Sequence, residues 1–407
     1  MYALRAAASL AFVLATSRSL GASRFGSLAA LSSLTSLALA ATISGFSHSV
    51  TQVVAQDTHE ATSIVSAATR AIFVLTAGLA VPFALLSSLL PGVSVWAALS
   101  LFAVDVTVTG SAEARSSRYI GQHDFRGALT LLAPVAIGRI AAAAVVWGTH
   151  VRTIEAATVV ALVGGAAGYA ISFGAYVRMD RGVERHRPGR HSYRLLGRRG
   201  VVYTGGNLIG RASNDIDKVY LSASLGEAPS VGSYAIAYRL AEYASIPMTA
   251  LSAAAYPRLF RSGASGIDAA RSTARSLRGR YLAAGIATSV VIVAVSPLAV
   301  IVFGDSYPSL QRYLLALAML PTVRSVSNNL SEPLTGAGRH GLRVAVWTAG
   351  LIVNVAANAV LIPRHGAYGA VIATYATELA QILLFWRLKA RLQLRSARGA
   401  VEPRADL

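Results

Sequence analysis

Long apolar stretches recur from one end of the 407-residue chain to the other, and the loops between them alternate between arginine-rich and nearly arginine-free. Nothing in the folding of a soluble chain sorts charge by the parity of its loops, whereas a polytopic membrane protein retains Lys and Arg on the cytoplasmic side. Composition agrees: 54% of residues are hydrophobic and 14% charged, with a mean hydropathy of +0.53. The expected fold class is therefore an all-α polytopic membrane protein.

At roughly 20 residues per span the stretches amount to about twelve transmembrane helices. They are expected near 2–20, 27–50, 68–90, 94–113, 128–148, 157–177, 201–221, 232–256, 281–303, 311–331, 343–362 and 367–387. The first is short and starts almost at Met1, which leaves a start further upstream open.

With the N-terminus inside, the outward loops hold only Arg18, Arg24, Arg152 and Arg364, with Arg312 at the mouth of a span. The inward loops carry clusters such as Arg178–Arg199, Arg258–Arg280 and Arg387–Arg404. Both termini are thus expected in the cytoplasm of a cell-membrane protein. The formal net charge of +19 sits in short loops beside spans, where acidic lipid headgroups of the inner leaflet are nearer partners than nucleic acid. The chain has no cysteine, and the loop histidines lack ligand spacing, so neither metal nor cofactor is expected. A GxxxxGK[ST] phosphate loop is also missing from the sequence.

The outer turn after the first span reads Ser19-Leu20-Gly21-Ala22-Ser23-Arg24-Phe25-Gly26-Ser27-Leu28-Ala29. After the seventh span, Ser224-Leu225-Gly226 continues to Val231-Gly232-Ser233-Tyr234-Ala235, and one insertion aligns Ser, Leu, Gly, Gly, Ser and Ala. A six-span offset keeps the two copies in one orientation, as parallel repeats about an axis along the membrane normal. The expected organisation is a six-helix lobe over 1–180, a basic cytoplasmic linker over 181–199, a second six-helix lobe over 200–390 and a tail over 391–407. Polar and charged residues suggest that the tail is disordered.

These residues resemble the Wzx-like polysaccharide-export flippases of the multidrug/oligosaccharidyl-lipid/polysaccharide (MOP) superfamily. The resemblance is carried by Leu20-Gly21 with Phe25-Gly26, by Asp217-Lys218, and by Leu225-Gly226 through Tyr238-Arg239-Leu240 to Tyr256-Pro257-Arg258-Leu259. It continues through Pro333-Leu334, Gly338-Arg339, Asn354, Asn358, Leu361-Ile362-Pro363, Gly366 and Gly369-Ala370. It implies transbilayer movement of a polyprenyl-diphosphate-linked oligosaccharide by alternating access, with no chemistry performed on the substrate. It also admits other polysaccharide-assembly proteins as partners. A small-molecule exporter or peptidoglycan-precursor flippase of the same superfamily is the alternative, followed by a membrane-embedded glycosyltransferase or polymerase.

A charge at bilayer depth requires a cavity or a partner. At 100° per residue, Asn207, Arg211, Asn214, Asp215 and Lys218 share one stripe of the seventh span and Asp217 points off it. The stripe reads as a cavity wall or as an Arg211–Asp215 pair; Asp217 and Lys218, near the outer end, are expected to snorkel and to serve as a gate or lobe contact. Arg139 lies mid-span after Pro134 and Gly138, which loosen the helix, and has no carboxylate within a turn. It is expected to meet a substrate diphosphate, or a carboxylate such as Asp105 or Glu378. Arg239 and Glu242 read as cavity residues or an ion pair. Arg324, Asn328 and Glu332 form an i+4 stripe, with Arg324 a candidate substrate contact and the other two gate or lobe contacts. Asp105 and Glu378, amid apolar neighbours, are candidates for ion coupling or for a structural role. Pro82, Pro134, Pro247, Pro297 and Pro321 interrupt spans as hinges or kinks.

Overall fold

A computed structural model describes residues 2–56, 61–180, 188–226, 228–307 and 309–401. Among these residues every regular element is a helix, without strands: α1 (Tyr2–Leu39), α2 (Gly45–Gln56), α3 (Ala61–Ser87), α4 (Val95–Phe102), α5 (Thr109–Gly121), α6 (Phe125–Gly148), α7 (Ile154–Met179) and α8 (Arg190–Leu225). Then come α9 (Pro229–Ala244), α10 (Ile246–Ala264), α11 (Ile267–Phe303), α12 (Leu310–Ala316), α13 (Leu320–Gly336), α14 (His340–His365) and α15 (Ala367–Val401). The π-helical turns Ala40–Ser44 and Ala103–Val108 join α1 to α2 and α4 to α5.

Eight helical segments among the described residues are long and apolar enough to cross a membrane. Their outer faces leave large apolar side chains bare, with Val74 at 71%, Ile301 at 72% and Trp96 at 79% exposure. A water-facing surface does not tolerate such contiguous apolar area; the protein is a multi-pass membrane protein. α9, α12 and α13 are too short for the same criterion, and the longer α8, which carries Arg211, Asp215, Asp217 and Lys218, also falls outside it.

The helix breaks follow local chemistry. Gly21 adopts φ 73° inside α1, a region costly for residues with a Cβ, and this separates the first two expected spans. Pro247 and Pro321 stand in the first turns of α10 and α13, where the missing N–H costs nothing. Pro82, Pro134 and Pro297 lie inside continuous helices. Gly138 serves contact: a Cβ there would stand 2.2 Å from the Gly164 carbonyl oxygen, and one on Gly168 would stand 2.3 Å from that of Pro134. α6 and α7 thereby approach as small-residue membrane helices do.

The chain divides into one compact unit over 1–236 with 299–310 and another over 237–298 with 311–407. The first is built around Leu28, Leu31, Ile43, Ile72, Leu101 and Phe102. At one end of it the outward-assigned loops converge. Arg18 Nε donates to the Val302 carbonyl at 2.7 Å, Arg24 to that of Arg152 at 2.7 Å, and the Tyr307 hydroxyl to that of Ser17 at 2.7 Å. Burial raises the Tyr307 phenol pKa above its ordinary value. At the opposite end Arg118 binds Asp180, joining the close of α5 to that of α7. Within the second unit, α13 packs on α10, α14 and α15, and α14 pairs with α15.

One expectation changes here. α15 continues to Val401, so residues 391–401 are helical where a disordered tail was expected; 402–407 lie outside the described residues. Residues 181–187 of the expected linker also lie outside them, and α8 already begins at Arg190.

Candidate functional site

The interior polar residues gather into separate networks, most of which join partners on different helices. In the first unit, Asp105 sits within the π-turn Ala103–Val108, a local departure from α-helical winding that re-aims a side chain. Its carboxylate meets Arg139 of α6 at 3.1 Å, and it accepts a 3.3 Å hydrogen bond from Thr35 of α1. The Arg139 guanidinium also lies 5.5 Å from the Phe12 ring centroid. Arg139 retains 28% side-chain exposure and Asp105 13%, so the pair is neither sealed nor solvated.

A second network is centred on α8. Lys218 Nζ lies 3.1 Å from Asp217 and 3.5 Å from Asp215 and donates to the Asn214 carbonyl. Ser36 donates to Asp215 at 2.8 Å, and the Tyr234 hydroxyl donates to Asp217. Lys218, Asp215 and Asp217 are each 1% exposed. The expectation that Asp217 and Lys218 snorkel is therefore corrected: the one Lys218 ammonium is shared by the two carboxylates in the interior, and that attraction offsets some of the cost of desolvating the cluster. The predicted stripe also divides along the helix. Arg211 is exposed and Asn207 and Asn214 are half-buried, while Asp215 and Lys218 are enclosed.

In the second unit, Arg324 of α13 binds Glu378 of α15 at 2.8 Å and donates to the Tyr238 hydroxyl of α9 at 2.8 Å. Arg239 and Glu242 pair at 3.2 Å across one helical turn. Glu332 is buried and accepts from the Tyr281 hydroxyl at 2.5 Å, which also reaches Ser252 at 3.0 Å. Asn328 is half-buried between the two ends of the α13 stripe. Arg324 and Glu332, expected on one stripe, thus serve separate networks. Asn354 and Asn358 form a buried amide chain to Thr377.

Both carboxylates proposed for ion coupling, Asp105 and Glu378, hold a candidate substrate arginine. The hydroxyl donors Thr35, Ser36, Tyr234 and Tyr281, and the acceptor hydroxyl of Tyr238, were missed in the sequence reading, because a hydroxyl in an apolar span does not reveal its partner. Chemically, a guanidinium held by one carboxylate and partly accessible is able to exchange that carboxylate for a phosphate oxygen pair.

The profile of a family described as polysaccharide biosynthesis protein matches residues 2–262. No curated protein matches the chain. Among solved structures it is similar to an inward-facing multidrug-resistance MATE transporter of the MOP superfamily, with 15% identity, 98% of this chain and 96% of that one covered, and a TM-score of 0.78. The MATE multidrug transporter DinF-BH, solved as a complex, is similar at 14% identity, 95% and 92% coverage and a TM-score of 0.70. A MOP superfamily transporter from Pyrococcus furiosus, described by the reversed polarity of its binding pocket, is similar at 14% identity, 96% and 93% coverage and a TM-score of 0.58. At these identities the likeness is one of fold.

Proposed function

Because the chain belongs to the polysaccharide biosynthesis protein family, we propose that it moves a polyprenyl-diphosphate-linked oligosaccharide across the cell membrane by alternating access, for surface polysaccharide assembly. The observation that carries this reading is the family match over 2–262 on a chain whose whole length takes the fold shared with MOP superfamily transporters. The working elements are two six-helix lobes, 1–180 and 200–390, twelve spans in all, with both termini cytoplasmic. The protein acts as a carrier and not as an enzyme, and its partners are the lipid-linked oligosaccharide, inner-leaflet acidic lipids and other assembly proteins.

The partly accessible pairs Arg139–Asp105 and Arg324–Glu378 support a specific mechanism. An entering diphosphate takes the guanidinium from its carboxylate, since a bidentate phosphate contact offers more charge than the carboxylate does. The released Asp105 or Glu378 then binds the coupling ion, and its departure restores the pair. Asn207, Arg211 and Asn214 supply further substrate contacts on α8, with Asp215 bracing them, and Arg239 with Glu242 on α9 does the same. Asp217, Lys218, Asn328 and Glu332 serve as gate or lobe contacts.

The testing measurement is mass spectrometry of polyprenyl-linked lipids from a deletion strain and its complemented parent, together with surface glycan. Accumulation of one complete lipid-linked repeat unit with loss of that glycan is the expected result. An unchanged lipid pool with intact glycan replaces this reading by small-molecule export, which the likeness to multidrug transporters favours. A truncated unit replaces it by an enzyme.

A further inference from the structure

A cavity of about 300 Å³ lies wholly within the second unit, between α11, α13 and α15. Its walls are apolar, including Leu330, Leu334, Phe385 and Trp386, and its cations are Arg271, Arg275, Arg278 and Lys389. No carboxylate lines it among the described residues. Arg271, Arg275 and Arg278 fall at i, i+4 and i+7, on one face of α11. Arg271 is buried and already engaged, binding Asp268 at 2.7 Å and the Lys389 carbonyl at 3.3 Å. Among the described residues, Arg275, Arg278 and Lys389 face no carboxylate within ion-pair distance. The candidate transport residues Arg239, Glu242, Arg324, Asn328, Glu332 and Glu378 do not line the cavity.

The height of the cavity along its helices identifies the kind of ligand. On α11 the basic face ends at Arg280, and large exposed apolar side chains begin at Ile286, 52% exposed, and continue through Val290 at 61% to Ile301. Ile286 stands six positions past Arg280, about 9 Å along the helix. On α15 the exposed Leu379, Leu383 and Trp386 give way to Arg387, Lys389 and Arg391. Both helices thus pass from lipid-facing to basic at the level of the cavity, where headgroups meet acyl chains, and an exposed Trp is typical of that level.

We infer that this cavity is a binding site for an acidic phospholipid, its phosphate held by Arg275, Arg278 and Lys389 and the top of an acyl chain seated on the Leu330–Phe385 wall. Basic pockets between membrane helices select acidic headgroups in this manner. The same cations would also hold a free phosphate, and the apolar wall is what favours the lipid. The site is separate from the proposed transport pathway and does not depend on it.

The experiment is binding to the purified full-length protein in a neutral detergent, read by native mass spectrometry and by the shift in thermal unfolding. The probes are cardiolipin, phosphatidylglycerol, phosphatidylcholine and inorganic phosphate. Cardiolipin and phosphatidylglycerol are expected to bind at least about tenfold tighter than phosphatidylcholine, and inorganic phosphate at equal concentration is expected not to displace them. Each cation beside an acidic headgroup strengthens binding about fivefold, so R275Q/R278Q/K389Q should weaken the acidic lipids at least about tenfold and leave phosphatidylcholine unchanged. R275K/R278K should retain most of the affinity. Equal binding of acidic and zwitterionic lipids overturns the inference, as does an unaffected triple variant. Full competition by inorganic phosphate assigns the site to a free anion and overturns the lipid. If the triple variant does not fold, the comparison of lipid classes on the unaltered protein still decides.

Discussion

Gly26 and Gly232, which occupy matching places in the two copies of the outer-turn motif, pack against each other. A Cβ on Gly26 would stand 2.9 Å from the Gly232 backbone nitrogen, and one on Gly232 would stand 2.0 Å from the Ala22 carbonyl oxygen. The motif's other paired glycines share a conformation as well, with Gly21 at φ 73° and Gly226 at φ 65°. The two copies of the motif thus touch at equivalent glycines.

A side chain at this contact must force the backbones away from each other. G232V is expected to cost about 1–3 kcal/mol by overpacking, and G232A somewhat less, because even one methyl meets a carbonyl oxygen. Thermal unfolding of the detergent-purified variants measures it; wild-type stability in G232V would disprove the close approach.

Removing Lys218 leaves Asp215 and Asp217 enclosed without their shared cation. K218M is expected to lose about 3–5 kcal/mol, the usual result of stranding a buried charge, and to reach the membrane at reduced level. D215N/D217N introduced with it should recover most of that loss. Quantitative blotting of membrane fractions and thermal unfolding test both halves.

Arg324 and Glu378 should be energetically coupled. R324A leaves Glu378 without its cation and E378Q leaves Arg324 with a neutral partner, so the R324A/E378Q variant should be less destabilised than the sum of the two single changes. Y238F removes a hydroxyl that accepts from Arg324 at 2.8 Å, a bond to a charged group worth about 1.5–3 kcal/mol. A double-mutant cycle on unfolding midpoints resolves the pairwise contribution.

For transport, R139A/R211A is expected to abolish appearance of the surface glycan while the protein remains in the membrane. D105N should retain substrate binding but lose the coupled cycle. Complementation of a deletion strain, with protein level measured beside glycan, checks this; full complementation by R139A/R211A would remove both residues from the substrate path.

The break at Gly21 was readable because a Leu-Gly between two apolar runs marks a turn, and the polarity of α8 was readable because its charges have no place against lipid. The partners were not. Ser36 and Asp215 stand 179 positions apart, Arg324 and Glu378 54 apart, and helical periodicity relates residues only a few turns from one another. Nor did position along the span reveal that Lys218 is enclosed: that depends on Tyr234 and Ser36 covering the same stretch of α8. The π-turn at Asp105 was equally invisible, since its neighbours Val104 and Val106 suit an ordinary helix.

Helicity, membrane residence, the alternation of charge between loops and the repeated outer turn all follow from the order of residue types, because lipid acts on each segment alone and demands that its backbone be satisfied within it. Which arginine meets which carboxylate, which glycines touch and which basic face closes over an apolar cavity follow from the packing of helices far apart in the chain. Those contacts exist only when separate segments share a face, and no single segment carries the information for it.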